Sequence, residues 1–272
     1  MPKISVITAC YNHGIYLDDA YESINLAKYV DVFEHIVVND GSTDRFTLDK
    51  LNELESKGVV VVHQKNQGLA VARNVGIAHA NGEFILPLDS DNKIIPEVFL
   101  EALKVLETNR HLDVVHTYAN FFGNKLGVWN PGKFSMSRML FENHIDACAL
   151  IRRSALEKVG LYSTDMPAMG HEDWELWIKI GKQGQFQLIE KPGFYYRVLE
   201  NSMVNTVSSP NVQKTLDYIL KKHQTIFLEE YKKLYYNNIK YDNLIKFNEI
   251  RLSNAKKNRL RTIAKILIGR PV

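Results

Sequence analysis

The residues of this chain best placed to do chemistry are Asp89, Ser90 and Asp91. They close an apolar run, Glu83 to Leu88, that its composition predicts to be a buried strand, after a helix-like stretch from Gly68 to Ala80. Two carboxylates at the end of a buried strand repel each other and lose hydration, so the placement needs a cause. In extended backbone, residues i and i+2 point the same way. Asp89 and Asp91 would then face one spot and hold a hard divalent cation, and with it a diphosphate, through oxygen. The competing reading is a strand-end turn with solvated carboxylates, since acidic residues are common at turns.

Such a pair needs a scaffold, and the preceding chain reads as one. Ile4–Cys10, His35–Asp40 and Val59–His63 are short apolar runs expected to be strands, with helices over about Leu17–Lys28 and Thr47–Ser56. Short buried strands alternating with helices predict an α/β fold, a Rossmann-like, mostly parallel sheet flanked by helices. Ligands bind such sheets at the carboxyl ends of the strands. Thr8–Tyr11, Asp40, Gln64–Gly68 and Asp89–Asp91 all fall there. After about residue 112 the rhythm changes: strands are expected over Asp113–Phe122 and Ile145–Ile151, around a Gly/Pro/Asn-rich loop from Gly123 to Lys133. A helix over Glu172–Gly184 and a hairpin-like Gln185–Val198 follow, and this half is expected to wall the cleft of the first. The expected domains are 1–208, in halves of about 1–112 and 113–208, and a helical, basic extension over 209–272.

Composition narrows the function classes. The chain has 272 residues, 45% hydrophobic and 24% charged, which is ordinary for a globular protein. A net charge of +3 does not argue for a nucleic-acid partner. Both cysteines, Cys10 and Cys148, sit in apolar runs and are expected to be buried reduced thiols. Met1-Pro2-Lys3 leads straight into a strand pattern, and no apolar stretch nears the ~20 residues that span a bilayer. A cytoplasmic location, soluble or peripheral to the membrane, is the expectation.

Three more segments carry polar groups at element ends. Asn39-Asp40-Gly41-Ser42-Thr43-Asp44 is a strand followed by a turn, with Ser42, Thr43 and Asp44 available to cap a helix. It is either a plain turn or a place where Asp40 accepts hydrogen bonds from a base or ribose. Asn66-Gln67-Gly68 leads to Ala72-Arg73-Asn74, where Arg73 is an exposed helix residue, or contacts a diphosphate, or orients a carboxylate of the 89–91 segment. His171-Glu172-Asp173-Trp174 opens a helix; acidic residues there complement the helix dipole, and the pair also suits a general base beside a sugar-binding wall.

Taken in order, these motifs resemble family 2 glycosyltransferases of the GT-A fold over roughly residues 3–205. The likeness rests on Ser5–Asn12, Asn39–Asp44, Asn66–Gly68 with Ala72–Asn74, Asp89–Asp91, Arg153 with Val159-Gly160, and Glu172–Trp174. The resemblance implies inverting transfer of a sugar from a UDP-sugar to an acceptor hydroxyl on a glycan or lipid-linked sugar, in bacterial surface polysaccharide or glycoconjugate synthesis. By resemblance, Thr8, Ala9 and Tyr11 line the base and Asp40 binds the uridine. Asn66, Gly68, Arg73 and Ser90 belong to the donor site. Asp89 and Asp91 bind ribose and metal-diphosphate, with Asp91 the more direct ligand of Mn²⁺ or Mg²⁺. Asp173, next to Glu172, is the implied base; Arg197 either meets the phosphates or is a strand-edge arginine. The chain departs from the family pattern at Asn92, where a further aspartate is common, and at Leu199, where a histidine ligand is common.

A sugar-phosphate nucleotidyltransferase shares the sheet and the carboxylate-bound metal, but usually needs a glycine-rich basic loop. Thr8–Gly14 has a single glycine and no lysine or arginine. A non-catalytic nucleotide- or glycan-binding module has no use for Asp173, and a glycoside hydrolase none for Asp40 or a metal pair. Tyr118, Trp129, Trp174 and Trp177 either stack on sugar faces or anchor core and loops. His13, His116, His144 and His171 show no ligand spacing. The stretch from Arg251 to Val272 holds seven basic residues and no acidic one. Leu260, Ile263, Ala264 and Leu267 recur at helical spacing there, as in a basic interfacial helix that contacts a membrane; a solvated helix is the alternative.

Overall fold

The computed structural model describes residues 1–199 and 209–267. The chain divides into two units, one from Met1 to His223 and a second beginning at Gln224. In the first unit, β1 (Ile4–Cys10), β2 (Phe33–Asp40), β3 (Val60–Gln64) and β4 (Phe84–Pro87) form the parallel half of a sheet. β1 and β4 are buried almost throughout, as continuous apolar runs in a sheet covered on both faces must be. β5 (Lys93–Ile94), β6 (Val114–Gly123), β7 (Gly127–Trp129), β8 (Leu150–Arg152) and β9 (Phe186–Val198) continue it, in the order β3-β2-β1-β4-β8-β6-β9-β5, with β7 on β6. From β1 the chain steps outward to β2 and β3, then crosses back to β4. The crevice at the carboxyl ends of β1 and β4 is therefore the switch point of the sheet.

The connecting helices show why the strands end where they do. α1 (Leu17–Ile24) stops at Asn25, whose φ of 54° is left-handed, and a short α2 (Leu26–Tyr29) follows; one continuous helix to Lys28 was expected. α3 (Arg45–Ser56) starts from Asp44, whose carboxylate accepts the Thr47 N–H at 2.8 Å. α4 (Leu69–His79) lies against β1 and β2, where a Cβ on Gly76 would stand 2.4 Å from Ile7 Cγ2, so the close approach needs glycine. α5 (Pro96–Thr108), α6 (Met136–Met139) and α7 (Arg153–Val159) precede α8 (Glu172–Gly181), which carries the acidic motif. α9 (Ser209–Lys222) extends the first unit to His223, past the boundary at 208. Its Thr215 and Ile219 are buried, and His223 Nε2 meets the fully buried Glu175 of α8 at 2.8 Å.

Two expected elements differ. Gln185–Val198 is one strand rather than a hairpin: Pro192-Gly193 sits in an irregularity opposite Tyr118, and β9 runs parallel to β6 on both sides of it. The strand expected over Ile145–Ile151 shrinks to Leu150–Arg152; residues 141–149 are loop, held by contacts to α8 given below. The second unit is the helix α10 (Gln224–Leu267), and the side chains of Lys256, Arg259, Arg261, Leu260, Ile263, Ala264 and Leu267 lie outside the described residues. Among the described residues no helix is long and apolar enough to cross a membrane.

Candidate active site

At the switch point the carboxylates gather around one buried arginine. Arg73, on α4, is 4% exposed and bonds Asp89 Oδ1 at 2.7 Å, with its guanidinium 5.3 Å from the centre of the Tyr162 ring. Burial opposes its charge, but Asp89, Tyr162, Glu172 and Asp173 outweigh that and hold its pKa above the ordinary value. Arg73 thus faces Asp89 on one side and the acidic start of α8 on the other.

The 89–91 segment lies beyond the strand end, in a turn closed by Asn92 N–H donating to Asp89 O at 3.0 Å. Strand alternation therefore does not set its directions. Asp89 turns to Arg73, and Ser90 Oγ lies 2.8 Å from His13 Nδ1. Among the described residues Asp91 has no ion pair with its carboxylate, which is pushed up to about 6, first by burial and then by the charge of Asp89. Its neighbourhood is fixed by Arg197, whose backbone N–H donates to Asn92 Oδ1 and whose Nε donates to Asp91 O, both at 2.9 Å. Arg197 also pairs with Asp19 and lies over the rings of Phe122 and Tyr16.

Across the cleft, Asp173 stands in the first turn of α8. Asn143 Nδ2 donates to its Oδ2 at 2.8 Å, and the Trp174 N–H donates to its Oδ1 at 2.8 Å. Burial pushes Asp173 up to about 6, against the pull of Arg73 and of the Asn143 hydrogen bond. A carboxyl group so poised is ionised near neutral pH yet basic enough to accept a proton. Asp146, in the 141–149 loop, is also raised, by burial first, then by the charge of Asp89 and further by Asp173. Glu172 is buried and accepts the Gly170 N–H at 3.0 Å, so it organises the turn before α8.

At the far side, Asp40 anchors the 64–68 loop. Its carboxylate accepts from Gln64 Nε2 at 2.6 Å and from the Gln67 and Gly68 N–H groups at 2.8 Å each. A carboxylate accepts about four hydrogen bonds, so these three donors take up most of its capacity. Gly68, at φ 90°, makes the turn that presents its N–H. Tyr11 is half exposed and Asn66 is exposed. Thr8 is fully buried, its hydroxyl 3.0 Å from His35 Nε2, so it can offer a ligand only backbone.

The family model for glycosyl transferase family 2 matches residues 5–160. The chain belongs to glycosyl transferase family 2. It is 26% identical over 82% of its length to an uncharacterised glycosyltransferase of Methanocaldococcus jannaschii, taking in 79% of that protein. It is 29% identical over 77% of its length to one of Rickettsia felis, but spans only 35% of that protein. Among solved structures it resembles the 1–349 fragment of S. aureus TarS in complex with UDP-GlcNAc, with TM-score 0.63 and 24% identity over 76% of this chain and 61% of that one. A mannosyltransferase from Pyrobaculum calidifontis, in complex with GDP-Man and Mn²⁺, aligns with TM-score 0.57 and 20% identity over 74% of this chain and 58% of that one. The fold is that of the GT-A glycosyltransferases, and the protein is a glycosyltransferase enzyme.

In this family 2 transferase, Asp89, Asp91, Arg73 and Asp173 come together, and Arg197 reaches Asp91 through its backbone oxygen. Asn143 and Asp146 were not picked out from the sequence, because single polar residues in a loop carry no periodic signal. Trp174 and Trp177 are buried rather than displayed to a sugar: their indole N–H groups donate to Met139 O at 2.6 Å and Ile145 O at 2.9 Å. His13 also gained its place only in three dimensions, beside Ser90.

Proposed function

We propose that the protein is an inverting transferase that moves a sugar from a UDP-sugar to an acceptor hydroxyl. The observation that carries this reading is Asp173, a near-neutral base set across a buried arginine from the Asp89–Asp91 turn. The base takes the acceptor proton, the freed oxygen bonds to the anomeric carbon from the side facing Asp173, and the bond to the diphosphate breaks, its electron pair leaving with UDP. Attack and departure on opposite faces invert the anomeric centre, through an oxocarbenium-like transition state. Asp40 and the 64–68 loop bind the uridine, and Arg73 holds Asp89 in place beside the ribose.

A divalent ion fits the residues present, as a hard cation accepted by Asp91, whose half-buried carboxylate makes no ion pair among the described residues and feels the negative charge of Asp89. Asp89, already matched by Arg73, is the lesser donor. Among the described residues no group of three or more His, Cys, Asp or Glu side chains is arranged to hold a metal. Asn92 is engaged with Arg197, so diphosphate and water would complete the coordination. Bound there, Mn²⁺ or Mg²⁺ would offset the charge of the departing diphosphate. The family resemblance supports a role in surface polysaccharide or glycoconjugate assembly on the cytoplasmic side, with a glycan or lipid-linked sugar as acceptor. The basic composition after Arg251 supports membrane contact.

The test is thermal stability against UDP, UDP-sugars and nucleoside triphosphates, with and without Mn²⁺, since a ligand of the native state raises the melting temperature. Stabilisation by UDP with metal, and further by one UDP-sugar, is expected. The anomeric configuration of the product, read by NMR, then tests inversion. Stabilisation by a triphosphate and none by UDP would refute the donor class, and a retained anomer would refute the mechanism.

A further inference from the structure

The 141–149 loop carries a side chain whose arrangement makes sense only with respect to Asp173. Asn143 directs Nδ2 at Asp173 Oδ2, 2.8 Å away, and its own Oδ1 is then buried with no hydrogen-bond partner among the described residues. Turning the amide over would put a carbonyl oxygen against a carboxylate oxygen. The orientation is thus decided by the base, at the cost of leaving one buried acceptor unsatisfied. The backbone around Asn143 is tied to the same helix on both sides. Trp174 and Trp177, one turn apart on α8, donate their indole N–H groups to the carbonyls of Met139 and Ile145. The far end of α8 is fitted as closely: a Cβ on Gly181 would stand 2.3 Å from Phe134 Cζ. The two indole bonds hold the segment around Asn143 against α8, and among the described residues the two oxygens of Asp173 each receive one donor, one from the helix backbone and one from the loop.

We propose that Asn143 is the positioning residue of the base, holding the Asp173 carboxylate in the plane and protonation state that accept the acceptor proton, with the Trp174 and Trp177 indoles as the latch that keeps it in range. The proposal rests on the reading of Asp173 as the base. A donor to a carboxylate favours its charged form, so losing the Asn143 N–H leaves Asp173 both freer to rotate and harder to ionise. The other groups that face Asp173 are Arg73 of α4, Glu172 of α8, Asp146 of the loop, Tyr162 between α7 and α8, and Tyr196 of β9. None of these is altered by substitution at 143, so a change in the acid limb would report the lost hydrogen bond.

The experiment compares N143A, N143S and N143D with the wild-type chain, using UDP release from UDP-GlcNAc and UDP-glucose with Mn²⁺ as the activity probe and UDP-induced thermal stabilisation as the binding probe. The N143A variant should lose about tenfold or more in kcat while donor KM and UDP stabilisation stay within about twofold, as expected for a group that acts only on the reacting geometry. Its acid limb should move to higher pH by about half a unit or more, and N143S, which keeps a donor, should recover part of both effects. N143D preserves the volume but places a negative charge against the base, so its limb should move further; it also covers the case in which N143A fails to fold. Wild-type kcat and pH profile in N143A or N143D would overturn the proposal, as would equal losses in N143A and N143S with an unmoved limb. If D173N is inactive and N143A is normal, only this inference falls; if D173N turns over normally, the base assignment falls and this inference with it.

Discussion

Asp173→Asn should abolish transfer and, at neutral pH, make the protein more stable. The rise of the Asp173 pKa from 3.8 to about 6 corresponds to about 3 kcal/mol of unfavourable ionisation in the folded state. The side chain is half-buried, so about 1–2 kcal/mol is the fairer figure after solvent screening. The exchange costs little in hydrogen bonds. The new amide oxygen keeps the Trp174 N–H, and its NH₂ meets Asn143, whose amide turns over so that the oxygen now lacking a partner accepts. The sign follows from linkage. The folded pKa lies above the unfolded one, so the stability contributed by the bound proton is fully present below 3.8 and lost as pH rises through about 6. Wild type and variant should therefore coincide near pH 4 and separate above about pH 7. For a unit of this size 1 kcal/mol is worth about 2–4 °C, so the variant should melt about 2–8 °C higher at about pH 7.5. Thermal unfolding followed by circular dichroism at both pH values reads this directly. A variant less stable than wild type at the higher pH, or a gap that does not widen between the two, would refute the claim that Asp173 is held as a strained charge.

Arg73→Met removes the cation shared by Asp89, Glu172 and Asp173. Breaking a buried pair costs about 3–5 kcal/mol, reduced here to about 2–3 because the Asp89 side chain is 36% exposed; the melting temperature should fall and the acid limb of activity should move up. Gly76→Ala gains about 1 kcal/mol of helix propensity but sets a methyl 2.4 Å from Ile7 Cγ2 in a core strand. Overpacking at about 1–3 kcal/mol should win, and the urea midpoint should drop with the m-value unchanged.

How much was legible in the sequence depended on whether the signal was local. The first four strands and the cap at Asp44 follow from runs and side chains that act within a few residues, and they lie close to where pattern places them. Pro192-Gly193 looks like a turn, yet β6 pairs with β9 on both sides of it, a long-range fact that no window of residues contains. The same holds at the site. Asp89, Asp91 and Asp173 stand out as carboxylates at element ends, but alternation was the wrong guide to Asp89 and Asp91, since the strand stops at Pro87. Asn143 became visible only when α8 brought Asp173 to it. Trp174 and Trp177 have the composition of a sugar platform and the geometry of a latch, and only burial separates the two.

The charge balance of the cleft leads to one more expectation. Asp89, Asp146, Glu172 and Asp173 lie around the buried Arg73, Asp91 stands beside Asp89 and Arg197, and burial with mutual repulsion raises Asp91, Asp146 and Asp173 so that they hold protons into a higher pH range. A divalent ion accepted by Asp91 must compete with that proton, because only the ionised carboxylate is a ligand. With Asp91 at about 6, roughly half a proton per ion should be released at pH 6, nearly one near pH 5, and little above pH 7. Apparent Mn²⁺ affinity should rise with pH across that window and level off above it. Calorimetric titration with Mn²⁺ in two buffers of different ionisation enthalpy counts the protons, and Asp91→Asn should remove both the binding and the release. An affinity independent of pH between about 5 and 7, with no proton released, would mean that Asp91 is already ionised in the free protein, and the electrostatic reading of the donor side would have to be given up.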